Sequence, residues 1–469
     1  MSAPPTALSG GAYDRIRADV LARVERDRLD AVAQLPGVRA AVTEAVEAYQ
    51  RGAHLGEGTA LRDPADMAAR VLRSLTAFGP LTELLARSDV EEVFIEADRV
   101  TYLDGSGRLQ ALAAPTTVEE NRAVVERLLS STQRHLDAGS PLVQARVLDG
   151  QARLTAAIAP VAESLSATIR RSTMRRDTLG TLVERGSLTR AAASFLWAVA
   201  QSSASVLVSG PPGAGKTSLL SALVAAIPPT RCVRGCEEIR ELHVPLTHGA
   251  FYEARPPGMD GGAEITLRDL VKFVLAMRPD HIVVGEVRGA EAFELTRAVN
   301  AGCGFSCTVH ANSARDALSA LVNAAIMAGE NVGEGIVRTV FAGALDYVVH
   351  CDFDDGPRDD VADPMPRTPK PGDASMGERP RPGNPGPASP EPASPGPASP
   401  GLRRQVTQII AVVPSLRDDF STEPLFVRER LGGPLQWTGT MPRAADRIER
   451  ALPAGTSLQS VLEGHRSLL

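Results

Sequence analysis

The chain has 469 residues, room for two or three domains of ordinary size. Hydrophobic residues make up 43% and charged residues 23%, so a packed core is expected, filled by Leu, Val and Ala because aromatics reach only 4%. Fifty Lys and Arg against 56 Asp and Glu give a formal charge of −6, which counts against a chain whose main task is coating nucleic acid.

Residues 12–55 read as a charged helical stretch with an apolar stripe of Val20, Val24, Leu29 and Val32, so residues 1–60 are taken as a peripheral helical arm. Residues 61–176 read as a small α+β domain. Met67 to Phe78 has helical spacing and stops at Gly79-Pro80. Val90–Ile95 and Val100–Leu103 read as strands, with the Asp104-Gly105 turn suggesting a hairpin. Val118–Leu129 returns to helical spacing, and Gln151–Ile158 and Ser166–Ile169 read as further strands. From 177 to 355 helices and strands alternate, which predicts an α/β unit with a parallel sheet. Between Gly356 and Gly401 lie 14 of the 35 prolines and no Phe, Trp, Tyr, Ile or Leu, with PGPASP at 385–390 and again at 395–400. Such a segment has nothing to bury and is expected to be a disordered insert, a spacer by default. Residues 402–469 should complete the second unit, with strands at Gln405–Val413 and Leu425–Arg430 and a helix near Arg443–Ala451.

The most apolar stretch, Phe195–Val208, is interrupted by Gln201, Ser202, Ser203 and Ser205 and is too short to span a bilayer. The N-terminus lacks a basic region followed by an apolar one, so a cytoplasmic protein that meets a membrane through a partner is expected. Cys232, Cys236, Cys303, Cys307 and Cys351 read as small buried thiols; the two three-residue gaps are too loose a signature for a zinc site.

The strongest chemical signal is the run Gly210, Pro211, Pro212, Gly213, Ala214, Gly215, Lys216, Thr217, continued by Ser218. It follows an apolar strand at 205–209 and opens a helix over Thr217–Ile227. Glycines let backbone amides wrap phosphates at a helix N-terminus, Lys216 meets the β- and γ-phosphates, and the Thr217 hydroxyl ligates Mg²⁺. Seventy residues on, the strand Ile282–Val284 ends at Gly285-Glu286, an acid placed to orient or deprotonate an attacking water. Gly285 stands where a Mg²⁺-linked Asp is common, which leaves Glu286 as the candidate base. His310, after Thr308-Val309, and the pair Glu237-Glu238 are weak signals singly.

In this order, the motifs resemble the type II/type IV secretion-system ATPases, in particular the TadA/CpaF-like branch that serves Flp-type tight-adherence pili. The resemblance rests on Phe78-Gly79-Pro80-Leu81, Ala145-Arg146, Arg153-Leu154-Thr155, Thr168-Ile169-Arg170, Glu253-Ala254-Arg255, Met277-Arg278-Pro279-Asp280, Gly285-Glu286-Val287-Arg288, Thr308-Val309-His310 and Arg404-Gln405-Val406. It implies a RecA-like P-loop ATPase core behind a PAS-like N-terminal domain. It also implies an acidic box at Glu237 and Glu238, a His box at His310, and nucleotide contacts from Arg146, Arg153, Arg170, Arg255 and Arg288. ATP and Mg²⁺ are the implied cofactors. The implied partners are further copies in a hexameric ring and an inner-membrane platform protein, with no direct nucleic acid. The implied place is the cytoplasmic face of the cell membrane. Asn300-Ala301-Gly302-Cys303 departs from a pattern that commonly ends in His, and the proline-rich insert has no counterpart.

Two functions from different classes remain in view. One is an ATP-driven motor for pilus assembly or secretion. The other is a nucleic-acid translocating or conjugative-transfer ATPase on the same fold. A non-hydrolysing scaffold is disfavoured by the intact set Lys216, Thr217 and Glu286.

Overall fold

A computed structural model describes residues 10–29, 34–105, 107–132, 134–171, 177–255, 263–300, 302–354, 403–414 and 420–469. The proline-rich segment 356–401 lies outside them, as does Val32. Helices α1 (Gly10–Arg26), α2 (Leu35–His54) and α3 (Pro64–Thr76) share one core. Tyr13, Ile16 and Val20 meet Val38, Val42 and Val46 and then Met67, Val71 and Leu75, each set spaced three or four residues apart so that one stripe faces inward. The break expected near residue 60 therefore falls inside a three-helix unit, because α3 completes its core. Asp63 starts α3 by accepting the amides of Ala65 and Asp66 at 3.0 and 2.9 Å, with Pro64 at the first helical position.

Arg70 of α3 ties this unit to the helix α5 (Val118–Leu129). Its Nε and Nη2 donate to Glu120 at 2.8 and 2.5 Å, both side chains being buried. Glu120 at the same time accepts the Thr117 amide at 3.0 Å, closing a capping box. The next layer is an antiparallel sheet made of β1 (Val90–Glu96), β2 (Arg99–Asp104), β3 (Leu109–Ala111), β4 (Leu142–Val147), β5 (Ala152–Ala157) and β6 (Ser166–Arg171), in the order β3-β2-β1-β6-β5-β4. The expected strands are present, and β3 and β4 are additions to them. Helices α4 (Thr82–Ala86) and α5 cover one face, burying Val93, Ile95, Val143, Val147, Leu154 and Ile169. The alternate positions face the other way, and there Glu92, Arg170, Arg153 and Arg146 stand directly opposite one another on β1, β6, β5 and β4. Period-two alternation puts all four on one surface.

The second sheet has nine strands: β7 (Val206–Gly210), β8 (Val233–Glu237), β9 (Gly249–Glu253), β10 (His281–Val284), β11 (Gly304–His310), β12 (Tyr347–Asp354), β13 (Arg403–Val413), β14 (Ser421–Val427) and β15 (Gln436–Trp437). Their order is β15-β14-β13-β12-β7-β11-β10-β8-β9. The sheet as a whole is mixed: the strands from residues 177–355 pair parallel as expected, and the antiparallel ones come from residues beyond 402. From β12 to β9 neighbours are parallel, whereas β13, β14 and β15 add antiparallel strands beyond β12. Here β13 runs back along β12, Asp354 opposite Arg403 and Tyr347 opposite Ala411, so the two pair antiparallel.

Helices α6 (Leu179–Glu184), α7 (Arg190–Gln201), α8 (Lys216–Ala225), α13 (Ala445–Glu449) and α14 (Leu458–Leu462) lie on one face. On the other lie α9 (Leu267–Leu275), α10 (Glu291–Asn300), α11 (Ala314–Ile326) and α12 (Glu334–Ala344). Leu207 and Val348 point to the second group, Val206, Val208, Tyr347 and Val349 to the first, which is why β7 and β12 are apolar throughout. Among the described residues no helix is long and apolar enough to cross a membrane. Cys236, Cys303, Cys307 and Cys351 are buried in this unit and Cys232 is half-buried.

Candidate active site

Strand β7 ends in the P-loop, and two glycines make the turn possible. A Cβ on Gly210 would come within 2.2 Å of the Cys351 carbonyl oxygen, and Gly215 has φ +88° as it starts α8. Lys216, the first residue of α8, is buried and folds back over the loop. Its ammonium donates to the carbonyls of Gly210 and Pro211, both at 3.0 Å, and to Nδ1 of His310 at 3.1 Å. All three acceptors are neutral, and burial lowers the pKa of the amine. Thr217 and Ser218 are half-buried on the first turn of α8.

His310 reaches Lys216 because β11 runs beside β7 with His310 level with Gly210. An ammonium accepts nothing, so Nδ1 must be the acceptor and the ring proton sits on Nε2. That nitrogen faces Oε1 of Glu286 in direct contact. Burial, and then the Lys216 charge, lower the pKa of His310, in keeping with a neutral ring. Glu286 lies just past β10, and two bonds fix the loop that carries it: Thr308 Oγ1 donates to Gly285 O at 2.7 Å, and the Val287 amide to Thr308 O at 2.8 Å. Oε2 of Glu286 accepts from Arg288 Nη2 at 2.5 Å, and this bond is the main cause of the raised Arg288 pKa. The result is one continuous line: Lys216, His310, Glu286, Arg288.

Glu237, at the end of β8, is buried beneath this line. Its Oε1 accepts the amides of Glu241 and Leu242 at 3.0 and 3.1 Å, and burial raises its pKa to about 7. A Cβ on Gly285 would lie 2.8 Å from Glu237 Cγ. The glycine in place of an acid thus has a local cause, for the neighbouring strand's glutamate fills the space. Glu238 is exposed, and its charge, with that of Glu241, acts on Arg153 and Arg288.

The arginine row of the first sheet faces this place. Arg146 Nη1 donates to Glu253 Oε2, at the end of β9, at 2.5 Å. Arg170 Nε lies 3.4 Å from Glu92 Oε1. Arg153, between them, donates to the neutral Gln144 Oε1 at 3.0 Å, and burial lowers its pKa. The charges of Arg170 and Arg288 both act on Lys216. Arg255 is not brought into this group, since its guanidinium donates to Ala263 O at 2.8 and 3.2 Å. Three acids that sequence reasoning did not single out belong to the site's surroundings: Glu92, Glu241 and Glu253. The last two lie beside or inside motifs that carry the family resemblance.

Left-handed glycines at 213 and 215, a buried ammonium with only neutral acceptors, and a facing row of arginines together fit a polyphosphate. Thr217, directly after Lys216, fits the hydroxyl ligand of a Mg²⁺ ion beside it.

The family model described as type II/IV secretion system protein matches residues 109–349, just over half the chain. The chain belongs to that family. Among curated relatives, this secretion-family chain is similar to a Mycobacterium tuberculosis (strain CDC 1551 / Oshkosh) protein named for conjugal transfer, 35% identical over 52% of this chain and 72% of that one. It is also similar to the type IV secretion system protein VirB11 of Bartonella henselae, at 26% identity over 59% of this chain and 88% of the other. Among solved structures, the VirB11 ATPase of the Brucella suis type IV secretion system is 23% identical, with 60% of this chain and 89% of that one covered and a TM-score of 0.32.

Proposed function

We propose that this chain hydrolyses ATP and that the energy drives assembly of a type IV or Flp-type pilus, or secretion, as in the TadA/CpaF-like branch. The observation that supports it most is the line Lys216, His310, Glu286, Arg288, which joins the P-loop to an acid on the second strand away. In this reading the amides of 210–218 and Lys216 hold the phosphates, and Thr217 holds Mg²⁺, which would neutralise charge on the β- and γ-phosphates. Glu286, oriented by His310 and Arg288, takes the proton of the attacking water. Arg146, Arg153 and Arg170 supply positive charge from the first sheet. The first sheet with α4 and α5 is then a PAS-like N-terminal domain, and residues 177–355 with 402–469 a RecA-like core. The working form is a hexameric ring at the inner face of the cell membrane, pressing on a platform protein. Arg255, bound to its own loop, could enter a nucleotide site only after leaving Ala263.

A second reading is supported by the relative named for conjugal transfer: the same turnover coupled to DNA transfer. Phosphate release and sedimentation of wild type beside Lys216→Ala and Glu286→Gln test the proposal. Lys216→Ala should lose nucleotide binding, while Glu286→Gln should bind ATP and hydrolyse it about 10²–10⁴-fold more slowly. Full turnover by Glu286→Gln removes it as the base, and a monomeric active enzyme removes the ring. Stimulation by DNA rather than by platform protein or lipid favours the second reading.

A further inference from the structure

The first residues of β13 lie against the P-loop. Strand β12 runs parallel to β7, and β13 turns back beside it, so β13 begins at the end of the sheet where β7 enters the loop. Arg404, opposite Phe353, lays its side-chain stem along Gly215: a Cβ on that glycine would stand 3.7 Å from both Cβ and Cδ of Arg404. The guanidinium is drawn to the other sheet. Its Nη1 and Nη2 donate to the two oxygens of Glu91 at 3.1 and 2.5 Å, a two-pronged ion pair in which Glu91 is nearly buried. Glu91 is the irregular residue of β1. Val90 pairs with Asp104 and Glu92 with Leu103, so Glu91 is left over as a bulge, the device by which a strand turns a side chain off its pleat.

We propose that Arg404 is a nucleotide-binding residue held in reserve by Glu91, which it exchanges for a phosphate of the nucleotide seated in the P-loop. The proposal rests on the reading of 210–217 as a nucleotide site. Three observations carry it. The stem already passes the amides that would hold the phosphates. A guanidinium fork fits a carboxylate and a phosphate equally well, so one can replace the other without rebuilding the side chain. And the carboxylate it grips belongs to the N-terminal sheet, so the exchange cuts one of the ties between that sheet and the core. Arg146 with Glu253 is another such tie, made from the opposite side. Nucleotide arrival would thus loosen the first sheet at Glu91 through a direct swap of anions.

The test is equilibrium binding of a fluorescent ADP to the full chain at fixed low salt. Glu91→Gln keeps the shape and removes the competing charge. It should tighten binding by about tenfold, the scale of one charge-assisted contact. Arg404→Ala should weaken binding by a similar factor, Arg404→Lys by less, and Glu91→Gln with Arg404→Ala should match Arg404→Ala alone. A gain in affinity cannot come from misfolding, so Glu91→Gln is decisive. Unchanged or weaker binding by Glu91→Gln overturns the proposal, and so does tightening that persists when Arg404 is Ala. Lys216→Ala in the same titration separates the two ideas. If wild type fails to bind, or binds as Lys216→Ala does, the nucleotide site itself is refuted. Lys216-dependent binding with a silent Glu91→Gln refutes only the role of Arg404.

Discussion

Replacing Gly285 with alanine tests whether Glu237 truly occupies the space beneath the loop that carries Glu286. The added Cβ would sit 2.8 Å from Glu237 Cγ, 3.4 Å from Cδ and 3.1 Å from Oε1, whereas carbon atoms rest at about 3.5–4.0 Å. Glu237 cannot swing aside cheaply, because the Glu241 and Leu242 amides grip its carboxylate. Overpacking of this kind costs about 1–3 kcal/mol. Against it stands a gain of about 0.4–1 kcal/mol from restricting the unfolded chain, since nothing in the backbone at 285 demands a glycine. The expected net effect is a loss of about 1–2 kcal/mol. In a Glu237→Ala background the obstruction is gone and only the gain remains, so the same substitution should stabilise. Urea unfolding followed by tryptophan fluorescence measures this directly, because both tryptophans, Trp197 and Trp437, pack against the core of the second unit. A Gly285→Ala effect of equal size and sign in both backgrounds refutes the steric account.

Glu237 also makes that unit's stability depend on pH. Its folded pKa is raised from 4.5 to about 7 by burial, so between those values the folded state holds a proton that the unfolded state has released, and stability falls as pH rises through the window. Glu237→Gln should therefore gain on wild type by roughly 1–3 kcal/mol between pH 5 and pH 8, read from urea midpoints; a pH-independent difference contradicts this. Glu120→Ala leaves the buried Arg70 guanidinium without its carboxylate, with only the Pro115 carbonyl to accept from it, and removes one of the two bonds of the α5 capping box, which should cost about 3–5 kcal/mol and speed amide exchange in α3 and α5 while tryptophan fluorescence barely changes. Arg153→Gln relieves repulsion in the arginine row, where like charges face each other, so it should leave the first sheet as stable as before or up to about 1 kcal/mol more stable while weakening ATP binding. A loss of both stability and binding would mark Arg153 as structural.

The P-loop could be read from the sequence because its chemistry is local. A strand, three glycines, a lysine and a helix occupy one short run, and no distant residue is needed to interpret them. Glu286 was readable for a similar reason, as an acid ending a short apolar strand. His310 was not readable alone, since its meaning comes from being level with Gly210 on the adjacent strand. Strand register is also what hid the arginine row: 146, 153 and 170 follow no simple spacing, and only pairing sets them side by side. Strand β4 was missed because its inward set, Val143, Ala145 and Val147, is short and includes only two bulky residues, while Gln144 and Arg146 face out. The tie between Arg404 and Glu91 spans 313 positions and depends on a bulge, which no composition rule records.

The charges around the P-loop explain why the two sheets should respond to a polyphosphate together. Lys216, Arg288, Arg170 and Arg153 act on one another across the boundary between the sheets, and like charges gathered in a partly buried place repel. Carboxylates offset this at the margins: Glu92 at one end of the row, Glu253 at the other, Glu91 on Arg404, Glu286 between His310 and Arg288. In the middle, Arg153 and Lys216 make their direct bonds only to neutral groups, and Glu238, Glu241 and Glu286 act on them from further off. An anion with several charges bound there gains from every cation at once, and it gains most when the sheets stand in this arrangement. A ligand shifts a conformational equilibrium only by its difference in affinity for the two states, and here that difference is supplied by arginines of one sheet acting on a phosphate held by the other. Loss of the phosphate then leaves the two marginal ion pairs, Arg404 with Glu91 and Arg146 with Glu253, to hold the sheets against the repulsion of the uncovered centre.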